Sequence, residues 1–205
     1  MTSASATERA TGTAADPTTG RILDAALGEF STYGLRRTSM EDVARRAGVA
    51  RATVYRKFAV KDALVQAVIM REGHRFMAEF DTVVRRYATI EEQVVEGWMF
   101  SIGYMREHPL FNGLLAADPE AMLPFLTIGN RELLDACREF FAPFVAAAQD
   151  RGEIPGFDPG PVAELMVRIV LSYVISPAGC LDLTDAVATR QFARRHLVPA
   201  MRSEA

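Results

Sequence analysis

The sequence predicts a helical protein, and three observations carry that reading. Apolar residues recur at three- and four-residue intervals in successive segments from residue 21 towards the C-terminus. Glycines and prolines at 34, 48, 109, 119, 152 and 159 fall where those segments stop or start. The chain has 205 residues, 49% hydrophobic and 24% charged, which is globular composition with enough apolar material for a core.

Residues 1–18 are small and polar and are expected to form a disordered tail. They lack the basic start and apolar run of a secretory signal. The first helix is expected over 21–33, where Ile22, Leu23, Ala26, Leu27, Phe30 and Tyr33 share a face and Gly34 supplies a stop. In the segment TSMEDVARRAG, Ser39 can cap a second helix and Asp42 favours its positive end, while Met40, Val43, Ala44 and Ala47 form one face. Gly48 ends it.

Only Gly48, Val49 and Ala50 separate that helix from RATVYRKF, a turn suited to two short helices crossing steeply, with Val49 as an apolar pin. Val54 and Phe58 are four apart and face inward, which leaves Arg51, Thr53, Arg56 and Lys57 on the outer surface. This is the division of a helix that enters a DNA major groove. Arg can pair bidentately with guanine, Thr can touch a thymine methyl, and Tyr or Lys can hold phosphate oxygens. A buried tyrosine hydroxyl is the alternative for Tyr55.

Charge agrees with spacing. The whole chain carries a net charge of -3, yet between 36 and 61 Arg36, Arg37, Arg45, Arg46, Arg51, Arg56, Lys57 and Lys61 face only Glu41 and Asp42. Such asymmetry points to a polyanionic partner, with a solvated helical face as the bland alternative. From KDAL a long fourth helix runs to about Arg86 on Leu64, Val65, Val68, Ile69, Phe76, Phe80 and Val83, with Lys61 at its entrance.

The run TSMEDVARRAGVARATVYRKFAVKDAL, 38 to 64, resembles the DNA-binding signature of the TetR/AcrR family of bacterial transcriptional regulators, T-T-x-x-x-I-A-x-x-A-G-V-S-x-x-T-L-Y-x-Y-F-x-S-K-E-x-L. The resemblance implies an all-α fold, with a three-helix helix-turn-helix DNA-binding domain at 19–66 joined to an effector-binding and dimerisation bundle at 67–205. It puts Thr38 and Ser39 near phosphates, Arg51, Ala52, Thr53 and Arg56 toward bases, and Tyr55, Lys57 and Lys61 toward the backbone of double-stranded DNA. Ala50 stands where the family usually has serine, which removes a cap from the third helix. Ala59 and Val60 replace the usual polar pair before Lys61.

Beyond Arg86, Thr89 and Glu92 make a capping box for a helix to about Arg106, which Pro109 stops, and Asp118-Pro119 opens another segment. A helix is expected over 128–151 with a kink or break near Phe140, because Pro143 lacks an N–H. Asp158-Pro159 opens a helix apolar on two faces, and a last helix is expected over 184–201. A helix that needs partners on two sides fits a twofold dimer, and the resemblance implies a homodimer through these last two helices.

Aromatic and Met residues here are ordinary core material, or the lining of a pocket. The resemblance favours a small-molecule effector, and the candidates to line its site are Trp98, Ile102, Met105, Phe111, Met122, Phe125, Phe141, Phe144, Met166 and Tyr173. Sparse charge between 94 and 146 predicts an apolar or amphipathic effector, with Arg106, Arg131 and Arg138 available for a carboxylate.

Other classes stay open. Cys137 with His108 or His196 is a conceivable nucleophile and base, without a local signature. A DNA-binding regulator without an effector is also consistent. Two cysteines 43 positions apart form no disulfide framework or metal cluster, and there is no Gly-rich phosphate loop, HExxH pair or calcium loop, so no cofactor or metal is expected. The run LMVRIVLSYVI at 165–175 is too short for a bilayer span and contains Arg168. A cytoplasmic protein is expected.

Overall fold

The computed structural model describes residues 16–111, 115, 119–129 and 131–202, apart from the side chains of residues 121 and 125. Among the described residues every regular element is helical. α1 (Pro17–Tyr33) starts at Asp16, whose carboxylate accepts from the Thr18 N–H at 3.1 Å and the Thr19 hydroxyl at 3.2 Å. Proline at the first helical position loses no hydrogen bond. The helix thus begins before the apolar pattern does, and residues 17 and 18 belong to it and not to the expected tail; residues 1–15 of that tail lie outside the described residues.

α2 (Met40–Ala47) and α3 (Arg51–Lys57) form a tight pair. Ser39 Oγ accepts from the Asp42 N–H at 3.2 Å while Asp42 Oδ2 accepts from the Ser39 N–H at 3.0 Å, a reciprocal cap. Gly48 ends α2 at φ 63° and ψ 39°, a left-handed geometry that glycine reaches without a Cβ penalty. Arg21 fastens the turn by donating to the Ala47 carbonyl at 2.7 Å and the Gly48 carbonyl at 3.0 Å. No side chain caps α3, as Ala50 led one to expect. Val54 is fully buried, and Val49 and Phe58 pack on the same core as Ile22, Phe30 and Val43. α4 (Lys61–Val84) extends that core through Leu64, Val65 and Val68.

α4 then leaves the small domain and packs on α5 (Ile90–Glu107), which opens at a Thr89–Glu92 capping box. The two meet closely at Gly97, where a Cβ would sit 2.8 Å from the Phe80 ring. α6 (Pro119–Leu126) brings Met122 and Leu126 onto the core of the small domain. α7 (Arg131–Asp150) and α8 (Pro159–Ile175) lie side by side, and α8 opens at Asp158, which accepts from the Gly160 N–H at 2.9 Å. α7 starts three residues later than expected and runs through Pro143 without the expected break.

The last helix also departs from its expected form. α9 (Ala186–Phe192) loosens into a π-helical turn (Ala193–Leu197) and a 3-10 turn (Val198–Met201). Arg190 donates to both Glu96 oxygens, at 2.8 and 3.0 Å, and ties α9 to α5. That bidentate pairing holds the Glu96 carboxyl below its ordinary range. Among the described residues no helix is long and apolar enough to cross a membrane.

Candidate functional site

The outer surface of α3 is built as the spacing predicts. Arg51, Ala52, Tyr55, Arg56 and Lys57 are exposed and Thr53 is half-buried, all carried by a helix anchored through Val54. Several of the cations, however, already hold partners. Arg51 lies 2.6 Å from Glu41 and 5.2 Å from the centre of the Tyr55 ring. The Tyr55 hydroxyl and Glu41 push the Arg51 guanidinium above its ordinary range. Lys57 lies 2.8 Å from Asp16, and this contact, with the Thr18 N–H, brings the Asp16 carboxyl down to about 2. Arg45 pairs with Asp42 at 2.5 Å and Arg46 with Glu29 at 3.2 Å.

A second site lies behind this surface. Residues of α4, α5, α7 and α8 line a cavity of about 140 Å³, with Phe111, Leu126, Leu197 and Met201 also in its wall. Phe80 is its hub, with edge-on ring contacts at 4.8 Å to Phe141 and 6.0 Å to Phe144. The polar members of the wall are few. Gln93 spends an amide hydrogen on the Tyr87 carbonyl at 2.9 Å, and Ser101 its hydroxyl on the Gly97 carbonyl at 2.7 Å. Glu72 is fully buried, with Arg71, Arg75 and His108 around its carboxylate at 3.0, 3.2 and 3.3 Å.

Residues 22–68 match the family model described as bacterial regulatory proteins, tetR family. This segment is a TetR-type DNA-binding region, and the chain as a whole is similar to regulators of that family. It is 24% identical over 182 residues to the HTH-type transcriptional regulator UidR of Escherichia coli K12, covering 89% of this chain and 90% of that one. Two solved structures share its fold. The TetR-family repressor AlkX from Dietzia, implicated in biodegradation of n-alkanes, superposes with a TM-score of 0.69 at 22% identity, over 93% of this chain and all of that one. The regulator FadR from Bacillus subtilis, in complex with stearoyl-CoA, gives 0.63 at 15% identity, over 91% and 99%. Regulators of this family bind DNA and small-molecule effectors.

With the TetR-family frame in place, the expected contacts divide. Thr38 does not face outward: it is 3% exposed and its hydroxyl donates to the Gly34 carbonyl at 2.9 Å, so it closes the α1–α2 corner. Ser39 is occupied as the α2 cap. Lys61 Nζ donates to the Leu35 carbonyl, which ties the start of α4 to the same corner. The pattern of small polar residues could not separate these structural roles from phosphate contacts, since both use the same hydrogens.

The expected effector residues divide as well. Trp98, Met105, Phe111, Phe141, Phe144 and Met166 line the cavity, while Ile102 and Tyr173, with Met105 and Phe111, line a neighbouring hollow. Met122 is fully buried in the core of the small domain, and the Phe125 side chain lies outside the described residues. The sequence reading missed the α4 wall, Ile69, Glu72, Phe76, Met77 and Phe80. One signal was there: Glu72 falls on the apolar face, three after Ile69 and four before Phe76.

Arg106, Arg131 and Arg138 do not reach the cavity. Arg106 donates to the Leu183 carbonyl at 2.7 Å, Arg131 lies 3.7 Å from Asp135, and Arg138 lies 3.0 Å from Asp135. The expectation of a carboxylate held by arginine loses its basis at Arg131 and Arg138, whereas Arg106 lines the neighbouring hollow with Ile102 and Tyr173. Cys137 lines the cavity, and burial pushes its thiol up to about 11, away from the thiolate a nucleophile requires. His108 faces Glu72, not Cys137. Among the described residues no group of three acidic, His or Cys side chains could hold a metal.

Proposed function

We propose that this protein is a ligand-responsive transcriptional repressor that binds a pseudo-palindromic DNA site as a homodimer and leaves it when a small apolar or amphipathic molecule fills the cavity. One observation carries the reading: a single helix, α4, forms part of the small-domain core through Leu64 and Val68 and of the cavity wall through Phe76 and Phe80. A ligand with different affinity for two positions of α4 therefore shifts α3 on DNA. Residues 19–66 serve as the DNA-binding domain and 67–205 as the effector and dimer domain.

Arg51, Ala52, Thr53 and Arg56 read bases in this arrangement, while Tyr55 and Lys57 hold phosphates. The dimer forms through α8 and α9, which expose Leu165 and Val187. An almost wholly carbon-lined wall favours an uncharged or amphipathic effector, in keeping with the alkane and fatty-acyl associations of the two structural relatives. The raised Cys137 thiol argues against catalysis.

Selection of bound DNA from a random library, followed by a thermal-shift screen of lipids, acyl thioesters and sterols, tests the reading. The expected result is a palindromic consensus, with stabilising compounds that release it. Stabilisation without loss of DNA binding sinks the derepression mechanism and leaves a regulator without an effector.

A further inference from the structure

Arg71 holds two elements at once. Its Nε and Nη2 lie 3.1 and 3.0 Å from Glu72 Oε1 in the cavity wall. Its Nη1 donates to Asp24 Oδ1 at 2.8 Å and to the Gly20 carbonyl at 3.4 Å, both on α1. One guanidinium thus spans from the cavity to the first helix of the DNA-binding domain. The other Glu72 oxygen, Oε2, accepts from Arg75 at 3.2 Å and faces His108 Nε2 at 3.3 Å. His108 also stacks on Tyr104 and touches Phe111, so the end of α5 and the cavity wall meet at the same carboxylate.

A carboxylate offers about four acceptor sites, and Arg71, Arg75 and His108 occupy those of Glu72, so a donor arriving from the cavity side has to displace one of them. The hydrogens of Ser101 and Gln93 are already committed to backbone carbonyls. An anionic ligand end would meet like charge at Glu72, and an uncharged hydroxyl or amide would meet an acceptor. A buried ion cluster stabilises little more than a well-packed apolar filling, so packing alone gives no reason for a charge here.

We propose that Glu72 is the point at which cavity occupancy reaches the DNA-binding helices: a ligand whose polar end donates a hydrogen bond to Glu72 competes with Arg71 for that carboxylate and loosens the Arg71–Asp24 link to α1. Glu72 is then a specificity-determining residue, and Arg71 and Asp24 are positioning residues. The inference rests on the effector reading above, and its test separates the two.

Three probes of equal chain length distinguish the ligand chemistry: n-octanol, octyl methyl ether and octanoate. Each is measured by melting temperature and by affinity for the selected DNA, on the wild-type protein, Asp24→Asn and Glu72→Gln. Asp24 is 69% exposed, so its variant leaves the fold intact. Octanol is expected to raise the melting temperature most and to lower wild-type DNA affinity about tenfold. Asp24→Asn is expected to bind DNA more weakly without ligand, to be stabilised by octanol as before, and to lose less than about threefold further affinity. Glu72→Gln keeps a weaker, uncharged acceptor and is expected to narrow the preference for octanol over the ether. Equal octanol-induced losses in wild type and Asp24→Asn overturn the relay alone. An ether as effective as octanol on the wild-type protein overturns the role of Glu72. Failure of all three probes to stabilise the wild-type protein overturns the effector reading, and this inference with it.

Discussion

At Arg51 and Lys57 the structure places an acid beside each cation that would meet DNA: Glu41 at 2.6 Å and Asp16 at 2.8 Å. Both pairs must open or be shared when phosphate or base edges arrive, so the acids act as competitors. Glu41→Gln is therefore expected to strengthen DNA binding, by up to about fivefold for an exposed pair, with the gain largest at low salt; titration against the selected fragment at two salt concentrations checks it. Arg56 carries no ion pair among the described residues and is exposed on α3. Arg56→Ala should relax base preference at one half-site position by about 1–3 kcal/mol, whereas Lys57→Ala should weaken all sequences alike and reduce the salt slope by about one unit. Repeating the DNA selection with each variant separates the two; sequence-blind losses from both would leave only an electrostatic contact. The exposed side of α3 was legible because Val54 and Phe58 fix the phase of a seven-residue helix. Thr38 was not legible, because a threonine that closes a corner and one that holds a phosphate have the same neighbours in sequence.

Single helices read well where their ends carry chemistry. The Ser39–Asp42 and Thr89–Glu92 caps, Gly48 and the Asp158 start all stand where the residues put them. Of the kink or break expected at Pro143 the break is absent, because packing along α8 holds α7 in one piece at the cost of a missing hydrogen bond. The α2 cap also makes a pH prediction. Bonds from the Ser39 hydroxyl and N–H, then Arg45, bring Asp42 down to about 2 from 3.8. A carboxyl depressed on folding stabilises the folded state above its unfolded value and loses that contribution as pH falls through its folded one. The small domain should therefore weaken between about pH 4 and pH 2, with Asp16 contributing alongside Asp42, and Asp42→Asn is expected to shrink the difference between neutral and acid melts by the share that Asp42 supplies. At neutral pH Ser39→Ala should cost about 1 kcal/mol in denaturant unfolding. Between elements, Gly97→Ala would drive a Cβ to 2.8 Å from the Phe80 ring. The expected loss is about 1–3 kcal/mol, with a cavity ligand bound less tightly because Phe80 forms its wall. An unchanged melting temperature would mean that the ring can move aside.

The whole molecule sets what periodicity could not. Apolar spacing told α4 and α5 to bury a face but not whether that face met side chains or an empty space, since core and cavity lining use the same residues. It also left α8 short of cover. In the single chain Leu165 is 45% exposed on this helix. On α9 Val187 is 64% exposed. Twofold pairing would cover these residues and set two copies of α3 at a fixed separation on one face of a duplex. Leu165→Glu puts a charge into that surface while leaving the α8 contacts of Ala163 and Val167 with the chain's own core untouched. The variant is expected to sediment as a folded monomer with a helical circular dichroism spectrum like that of the wild type. It should bind the full palindrome about as weakly as a half-site, a loss of about a hundredfold or more, because linkage of the two α3 helices supplies that factor without any new contact. A Leu165→Glu protein that remained dimeric and bound the palindrome normally would move the dimer surface away from α8, and with it the geometry by which a filled cavity reaches the second half-site.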